Sequence, residues 1–432
     1  MVTVLDSMEM KGLMRGPYRV PFGVTAIVAV LALLPLVLPS RTIGTLVQMQ
    51  VAALFALAFN ILWQQTRLLS FGHAAYFGIG MFATIHAMRA AAAGSLILPL
   101  PLMPIAGLLA GFILGIVIGF FATIRSGTYF AMITLAFAEL IYQIAPQWES
   151  VFGGEAGLST MRMPWAGFSF GTNTEVYYLV LGWFLIAMAS IRFFTRTPLG
   201  RLAFALGDNE VRVRFLGYNA HLAKTLIFAV SAMFAGLAGG LLAISNENVD
   251  YSVFSASASA LVVIHTFVGG AGLFLGPVVG AAGLILFGSI VSDLTRLWIL
   301  YQGILFILVV MFIPQGVVGL IVDAFSAGRW RQLGRVAPPA LLGLTAAIFA
   351  SAGIIFVAEF LSALVADPFS LHTRAGAVSV MLWGISWPVT ALATWAFPLA
   401  SMAIAVVLTG LARRSIGKRT AAENDRSTEV QP

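Results

Sequence analysis

The sequence predicts an all-α polytopic membrane protein, with about ten core transmembrane helices and about two more at the C-terminal end. Three observations predict it. Residues are 60% hydrophobic and only 9% charged, which excludes an ordinary soluble globule. The apolar residues gather in runs long enough to cross a bilayer, which takes roughly 20 residues of helix. These runs do not alternate in polarity, as the strands of a membrane barrel would.

The runs lie near 22–40, 43–62, 71–92, 97–122, 127–147, 176–194, 221–244, 257–270, 275–292 and 297–321, with two more near 339–361 and 377–411. The N-terminal segment 1–20 mixes acids with Lys11, Arg15 and Arg19, and no small-residue cleavage site ends the run after it. That run reads as a first span rather than a cleaved signal. Pro388 and Pro398 give the last run a kinked or partly interfacial character. The chain has no cysteine, so it has neither a disulfide framework nor a thiolate metal site.

The net charge of +7 reads as the bias of cytoplasmic loops, not as a nucleic-acid footprint. Arg67, Arg125, the stretch from Arg192 to Lys224, the cluster from Arg329 to Arg335, and Arg413, Arg414, Lys418 and Arg419 assign their loops to the cytoplasm. The loops 148–175 and 245–256 carry Glu149, Glu155, Glu175, Glu247 and Asp250, with Arg162 as their one base, and fit the outside. An even number of spans then puts both termini inside, provided that 257–292 makes two short passes.

Two segments are broken by glycine. LSFGHAAYFGIGMFA holds Ser70, Gly72, His73, Gly78 and Gly80, and HTFVGGAGLFLGPVVGAAG holds Gly269, Gly270, Gly272, Gly276, Pro277 and Gly280. Glycine weakens a helix by about 1 kcal/mol relative to alanine. Irregular backbone is tolerated at membrane depth only inside protein or beside a wet cavity. Interrupted segments at matching places in two halves mark the substrate path of transporters. Gly72 and Gly78 have the spacing of Gly270 and Gly276. Close helix packing at glycine is the competing reading.

The stretch RTPLGRLAFALGDNEVRVRFLGYN, residues 196–219, breaks the apolar pattern. Thr197 is suited to an N-cap and Pro198 to a first turn. Leu199, Leu202 and Leu206 keep helical spacing, and Gly207 is expected to end that helix. Asp208 is expected to cap a second short helix, with Glu210 in its first turn and Gly217 stopping it. Two separately capped helices, too short to span, favour a docking element that receives force from a soluble partner over a plain positive-inside loop with incidental helix.

At these residues the chain resembles the permease subunits of bacterial ABC importers for branched-chain amino acids, of the LivM type. The likeness is carried by LSFGHAAYFGIG (69–80), GTYFAMITLAFAEL (127–140), GGEAGLS (153–159), TPLGRLAFALGDNEVRVRFLGYN (197–219), KTLIFAVSAMFAGLAGGL (224–241), VGGAGLFLGPVVGA (268–281) and FIPQGVVGLI (312–321). The resemblance implies a permease domain over 21–322 and a second, related permease. It also implies two cytoplasmic ATP-binding subunits and a periplasmic solute-binding protein, with the chain in the bacterial inner membrane. The insert would be the ATPase-coupling loop, with Arg201, Asp208, Asn209, Glu210, Arg212 and Gly217 as coupling positions. The common Glu-Ala-Ala signature reads Glu210-Val211-Arg212 here, with the glycine seven residues after the glutamate. Substrate would follow the broken segments, at Ser70, Gly72, His73, Gly78, Gly80, Gly269, Gly270, Gly272 and Gly276.

Beyond that domain, 323–338 reads as a cytoplasmic linker, 339–411 as added transmembrane segments with Trp383, Trp387 and Trp395 as interfacial anchors, and 412–432 as a polar, disordered tail. The added segments either face lipid or meet another subunit.

The chain carries no engine of its own. GLARRSIGKRT (410–420) lacks phosphate-loop spacing, so neither ATP binding nor an enzyme activity nor a cofactor is expected. An ion-coupled carrier, the alternative, would use paired intramembrane charges. Glu139, Asp293, His73 and His265 are the candidates. Asp293 and Arg296 suit a surface pair, and no set forms a metal or nucleophilic constellation.

Overall fold

The computed structural model describes the backbone of residues 19–325, 330–366, 371–374, 377–382 and 385–428, and side chains within 28–322, 342–365, 379–380, 382 and 385–411. Most of the expected N-terminal segment 1–20 and linker residues 326–329 lie outside the described residues. The chain forms two compact units, 1–263 and 264–432.

The first unit contains α1 (Arg19–Val37), α2 (Ser40–Thr66), α3 (His73–Ala92), α4 (Pro104–Ala122), α5 (Thr128–Ile144), α6 (Asn173–Phe194), α7 (Pro198–Asp208), α8 (Glu210–Phe215) and α9 (Ala220–Asn246). The helix α10 (Ala256–Gly269) follows. Among the described residues, seven helices are long and apolar enough to cross a membrane, or eight if a bent pair at 298–322 counts as one span. The chain is a multi-pass helical membrane protein.

The most enclosed span is α9, which packs against α2, α3 and α4. Its contacts are made at glycines. A Cβ on Gly107 of α4 would lie 2.7 Å from the carbonyl oxygen of Gly236, and one on Gly111 2.5 Å from that of Ala232. Gly80 and Gly239 complete the same seam between α3 and α9. Lipid tails are as apolar as leucine, so close van der Waals approach, not burial from water, holds such helices together.

On the far side of these helices, β1 (Leu158–Ser159) pairs antiparallel with β2 (Asn248–Val249). The two acidic loops are thus joined. Arg162 Nε lies 2.9 Å from Glu247 Oε1, and the Arg162 amide donates to the same oxygen at 2.8 Å.

The second unit contains α11 (Gly276–Ser292), α12 (Trp298–Phe312), α13 (Gly316–Phe325), α14 (Trp330–Ala366), a three-stranded sheet and α15 (Leu392–Thr428). The helices α12 and α13 meet at a 45° bend. Val268, Leu284 and Val309 form one core cluster and Phe356, Phe360, Val380 and Leu382 another.

The expectation for the last apolar run changes. The run 377–411 is not one span: β3 (Leu371–Arg374), β4 (Ala377–Leu382) and β5 (Ile385–Pro388) precede α15. The β-branched and aromatic residues of AVSVML and ISWP favour strands, and the period-two pattern turns Val380 and Leu382 onto Phe356 and Phe360. Trp387 packs edge-on against Phe356 at 4.9 Å instead of standing free as an anchor, while Trp395, 40% exposed, edges Phe360 at 5.5 Å. Trp383 lies outside the described residues. The tail from Ser415 continues α15 to Thr428, where lysine, arginine, alanine and glutamate have good helix propensity and no proline intervenes. Within the expected linker 323–338, residues 323–325 and 330–338 are helical.

Candidate functional site

The insert folds as two capped helices. Thr197 accepts from the Gly200 amide at 3.2 Å, and Pro198 occupies the first turn of α7. The expected boundary shifts by one or two residues. Gly207 and Asp208 remain in α7, and Asn209 caps α8 by accepting from the Arg212 amide at 2.9 Å. The shift has a packing reason. At Gly207 the backbone runs against the carbonyl of Gln65 at the end of α2, where only a glycine fits, so Gly207 serves contact rather than termination. Gly217 stops the insert as expected, with φ +87°.

Arg201, Asp208, Asn209 and Arg212 are exposed, whereas Glu210 is turned into the bundle. Its Oε1 accepts from Arg214 at 2.5 Å and from Lys224 at 3.1 Å, and its Oε2 accepts from Lys224 at 3.1 Å and from Ser126 at 3.2 Å. Burial raises the carboxyl's pKa, but the hydrogen bonds from Lys224 and then Arg214 outweigh it and leave the pKa below the usual value. Lys224 lies in the second turn of α9 with its side chain 4% exposed. Beside it, the Thr123 hydroxyl meets Thr225 Oγ1 at 2.9 Å and His221 Nδ1 at 3.1 Å. Reading the sequence missed Ser126 and treated Lys224 as the end of a basic loop. A lone lysine entering an apolar helix was the available signal.

The first glycine-rich segment is not broken as expected: α3 runs without interruption from His73 to Ala92 through Gly78 and Gly80, and the segment is packed shut. Ser70, Gly72, His73, Gly78 and Gly80 are all buried. A Cβ on Gly72 would collide with the backbone of Thr134, one on Gly78 with the Phe254 ring and one on Gly80 with the backbone of Gly236. Hydroxyls satisfy the irregular backbone before α3. The Phe71 amide donates to Thr134 Oγ1 at 3.3 Å, that of Gly72 to Ser70 Oγ at 3.3 Å and that of Ala74 to Ser259 Oγ at 3.0 Å. His73 Nε2 lies 2.8 Å from Ser231 Oγ, and Ser231 donates its one proton to the Ala58 carbonyl at 2.6 Å. The imidazole must therefore donate from Nε2, leaving Nδ1 bare. Phe55, Phe59, Tyr76 and Phe228 surround the ring.

In the second unit, Gly269, Gly270 and Gly276 form a tight turn between α10 and α11. Gly270 has φ +117°, and a Cβ on it would lie 2.6 Å from the Gln315 carbonyl oxygen. The break between α12 and α13 thus sits on the break between α10 and α11. Gly272 is exposed, and His265 is buried. Glu139 is exposed and accepts from Gln143 at 2.8 Å.

Membrane spans held by close glycine contacts, with a capped polar insert between them, describe a multi-pass helical membrane protein. The family model described as "Branched-chain amino acid transport system / permease component" matches residues 41–314, more than half of the chain, and the chain belongs to that family. It is 30% identical over 242 residues to the high-affinity branched-chain amino acid transport system permease protein LivM of Escherichia coli (strain K12). The match covers 50% of this chain and 56% of that one. The corresponding protein of Salmonella typhimurium is 29% identical over the same shares. The ribose import permease protein RbsC of Haemophilus influenzae is 34% identical over 91 residues, 20% of this chain and 28% of its own. The chain spans about half the length of the LivM relatives it matches. No solved structure matches it.

Proposed function

We propose that the chain is the transmembrane permease subunit of an ABC importer for branched-chain amino acids or a related small polar solute. It works in the bacterial inner membrane with both termini in the cytoplasm. Its partners are a second, related permease, two cytoplasmic ATP-binding subunits and a periplasmic solute-binding protein. ATP hydrolysis on those partners supplies the energy, and the chain itself is not an enzyme.

One observation carries this reading. The insert 196–219 is a built element, with two capped helices resting on α2 and tied to the first turns of α9. A loop that merely joins two spans needs neither caps nor a saturated ion pair. Arg201, Asp208, Asn209 and Arg212 present its exposed polar face to the ATP-binding subunits. Ser70, Gly72, His73, Gly78 and Gly80, with Gly269, Gly270, Gly272 and Gly276, shape the walls beside which solute moves. All but Gly272, which is exposed, are tightly packed, which favours a wall role over direct solute binding.

Reconstitution tests the reading. Proteoliposomes holding this chain and its co-purified subunits should concentrate leucine, isoleucine or valine when supplied with ATP and a solute-binding protein. Accumulation driven by a proton or sodium gradient without ATP-binding subunits would overturn it in favour of an ion-coupled carrier.

A further inference from the structure

We propose that Glu210, Lys224 and Ser126 form an internal strut that makes the insert and α9 move as one body, so that Glu210 is a positioning residue and not a contact with the ATP-binding subunits. The inference rests on the function proposed above and refines it.

The hydrogen-bond count decides it. A carboxylate offers about four acceptor sites, and Glu210 fills them with two bonds from Lys224, one from Arg214 and one from Ser126. An ammonium has three protons, and Lys224 gives them to the two Glu210 oxygens and to Ser126 Oγ at 3.0 Å. Ser126 accepts from Lys224 and donates to Glu210, which closes the ring. The Glu210 carboxylate and the Lys224 ammonium have no capacity left for an outside partner, and Ser126 Oγ keeps one acceptor site. The surface that remains for one is the opposite side of α8, where Val211, Phe215 and Leu216 are 61%, 87% and 71% exposed beside Arg212.

The strut ties the insert and the foot of α9, 14 residues apart at Glu210 and Lys224, to the turn between α4 and α5, where Ser126 lies 84 residues from Glu210 and 98 from Lys224. Ion pairs are stronger where water is excluded, and the Lys224 side chain is almost wholly enclosed. Through α9 the connection reaches Gly236 and Gly239, where backbones of neighbouring spans touch and small shifts are passed on. Pushing α8 therefore displaces α9 without bending the insert.

The test uses the full chain, tagged and purified from native membranes with its partners, which are identified by photolabelling with an azido-ATP analogue. Glu210→Gln and Lys224→Met should retain the labelled subunits at wild-type stoichiometry while solute moved per ATP hydrolysed falls about tenfold. The exchange Glu210→Lys with Lys224→Glu should recover part of that ratio. Ser126→Ala, which removes one link and is the mildest change, should lower it less and keeps the test valid if a charge variant fails to fold. Loss of the labelled subunits in Glu210→Gln would make Glu210 a direct contact and overturn the strut. Wild-type transport per ATP in both charge variants, or in Ser126→Ala together with whichever charge variant folds, would overturn it too. If the wild-type chain brings down no azido-ATP-labelled subunit, the proposed function fails instead.

Discussion

Gly107 and Gly236 hold α4 and α9 so close that a methyl group on Gly107 would lie 2.7 Å from the Gly236 carbonyl oxygen. Neither helix can yield there without pulling α3 with it, because Gly80 of α3 meets the same Gly236 backbone and a Cβ on Gly107 would also lie 2.8 Å from the Gly80 carbonyl oxygen. The glycines thus determine the spacing of the first unit's central helices.

Gly107→Ala should destabilise the purified protein by about 1–3 kcal/mol, seen as a lower thermal midpoint in detergent. Gly182→Ala on α6, where a Cβ meets nothing within 4 Å, is the control. It should be neutral or raise stability by up to about 1 kcal/mol through helix propensity. Equal losses in the two variants would show that close approach is not the reason for Gly107.

The bond from His73 to Ser231 predicts a non-additive pair. Ser231→Ala leaves the buried imidazole donor without an acceptor, at a cost of about 1–3 kcal/mol. His73→Phe places an apolar ring among the surrounding aromatics and removes the orphaned group. The double variant should lose less stability than the sum of the singles, measured by the same melts. Strict additivity would mean that the two side chains do not interact.

Arg162 and Glu247 give the acidic loops a pH dependence. The hydrogen bond from Arg162 holds the Glu247 carboxyl below its ordinary value of 4.5. A carboxyl whose pKa is lowered on folding contributes stability above its unfolded value, and that contribution is lost as pH falls through the folded value. Cleavage in loop 148–172 by an acid-active protease should therefore increase as pH drops below about 4.5, relative to an unstructured reference peptide. Glu247→Gln should show the increase already at higher pH. A pH-independent ratio in the wild type would remove the ion pair from the argument.

At Gly217 the constraint is conformational, since φ is +87° and a Cβ would meet nothing within 4 Å. Gly217→Val should loosen the end of α8 and speed tryptic cleavage after Arg212 and Arg214. Gly217→Asn, which tolerates the left-handed region, should be cleaved more nearly as wild type. Identical digestion of both variants would indicate that the turn adapts freely.

Local signals were legible in the sequence, and they gave the multi-pass helical class, the Thr197 cap and the Gly217 stop, whereas α3 runs unbroken through Gly78 and Gly80. Where one residue decides between neighbouring options, tertiary contact intervened. Gly207 was expected to end α7, but the approach of Gln65 uses it for packing and passes the cap from Asp208 to Asn209. The run around Val380 is apolar enough for a span, yet its alternation and its contact with Phe356 and Phe360 make it a strand.

Composition and spacing by themselves determined that this chain lives in lipid, where its helices break and where a polar insert interrupts them, because each depends on interactions within a few residues. Only the tertiary structure decided what those features touch. It closed the Glu210, Lys224 and Ser126 ring, gave His73 its serine and set glycine against glycine between α4 and α9. Apart from Glu210 with Lys224, these pairings join residues far apart in the chain, and hydrogen-bond direction and van der Waals overlap operate over a few ångströms of space, which residue order does not encode.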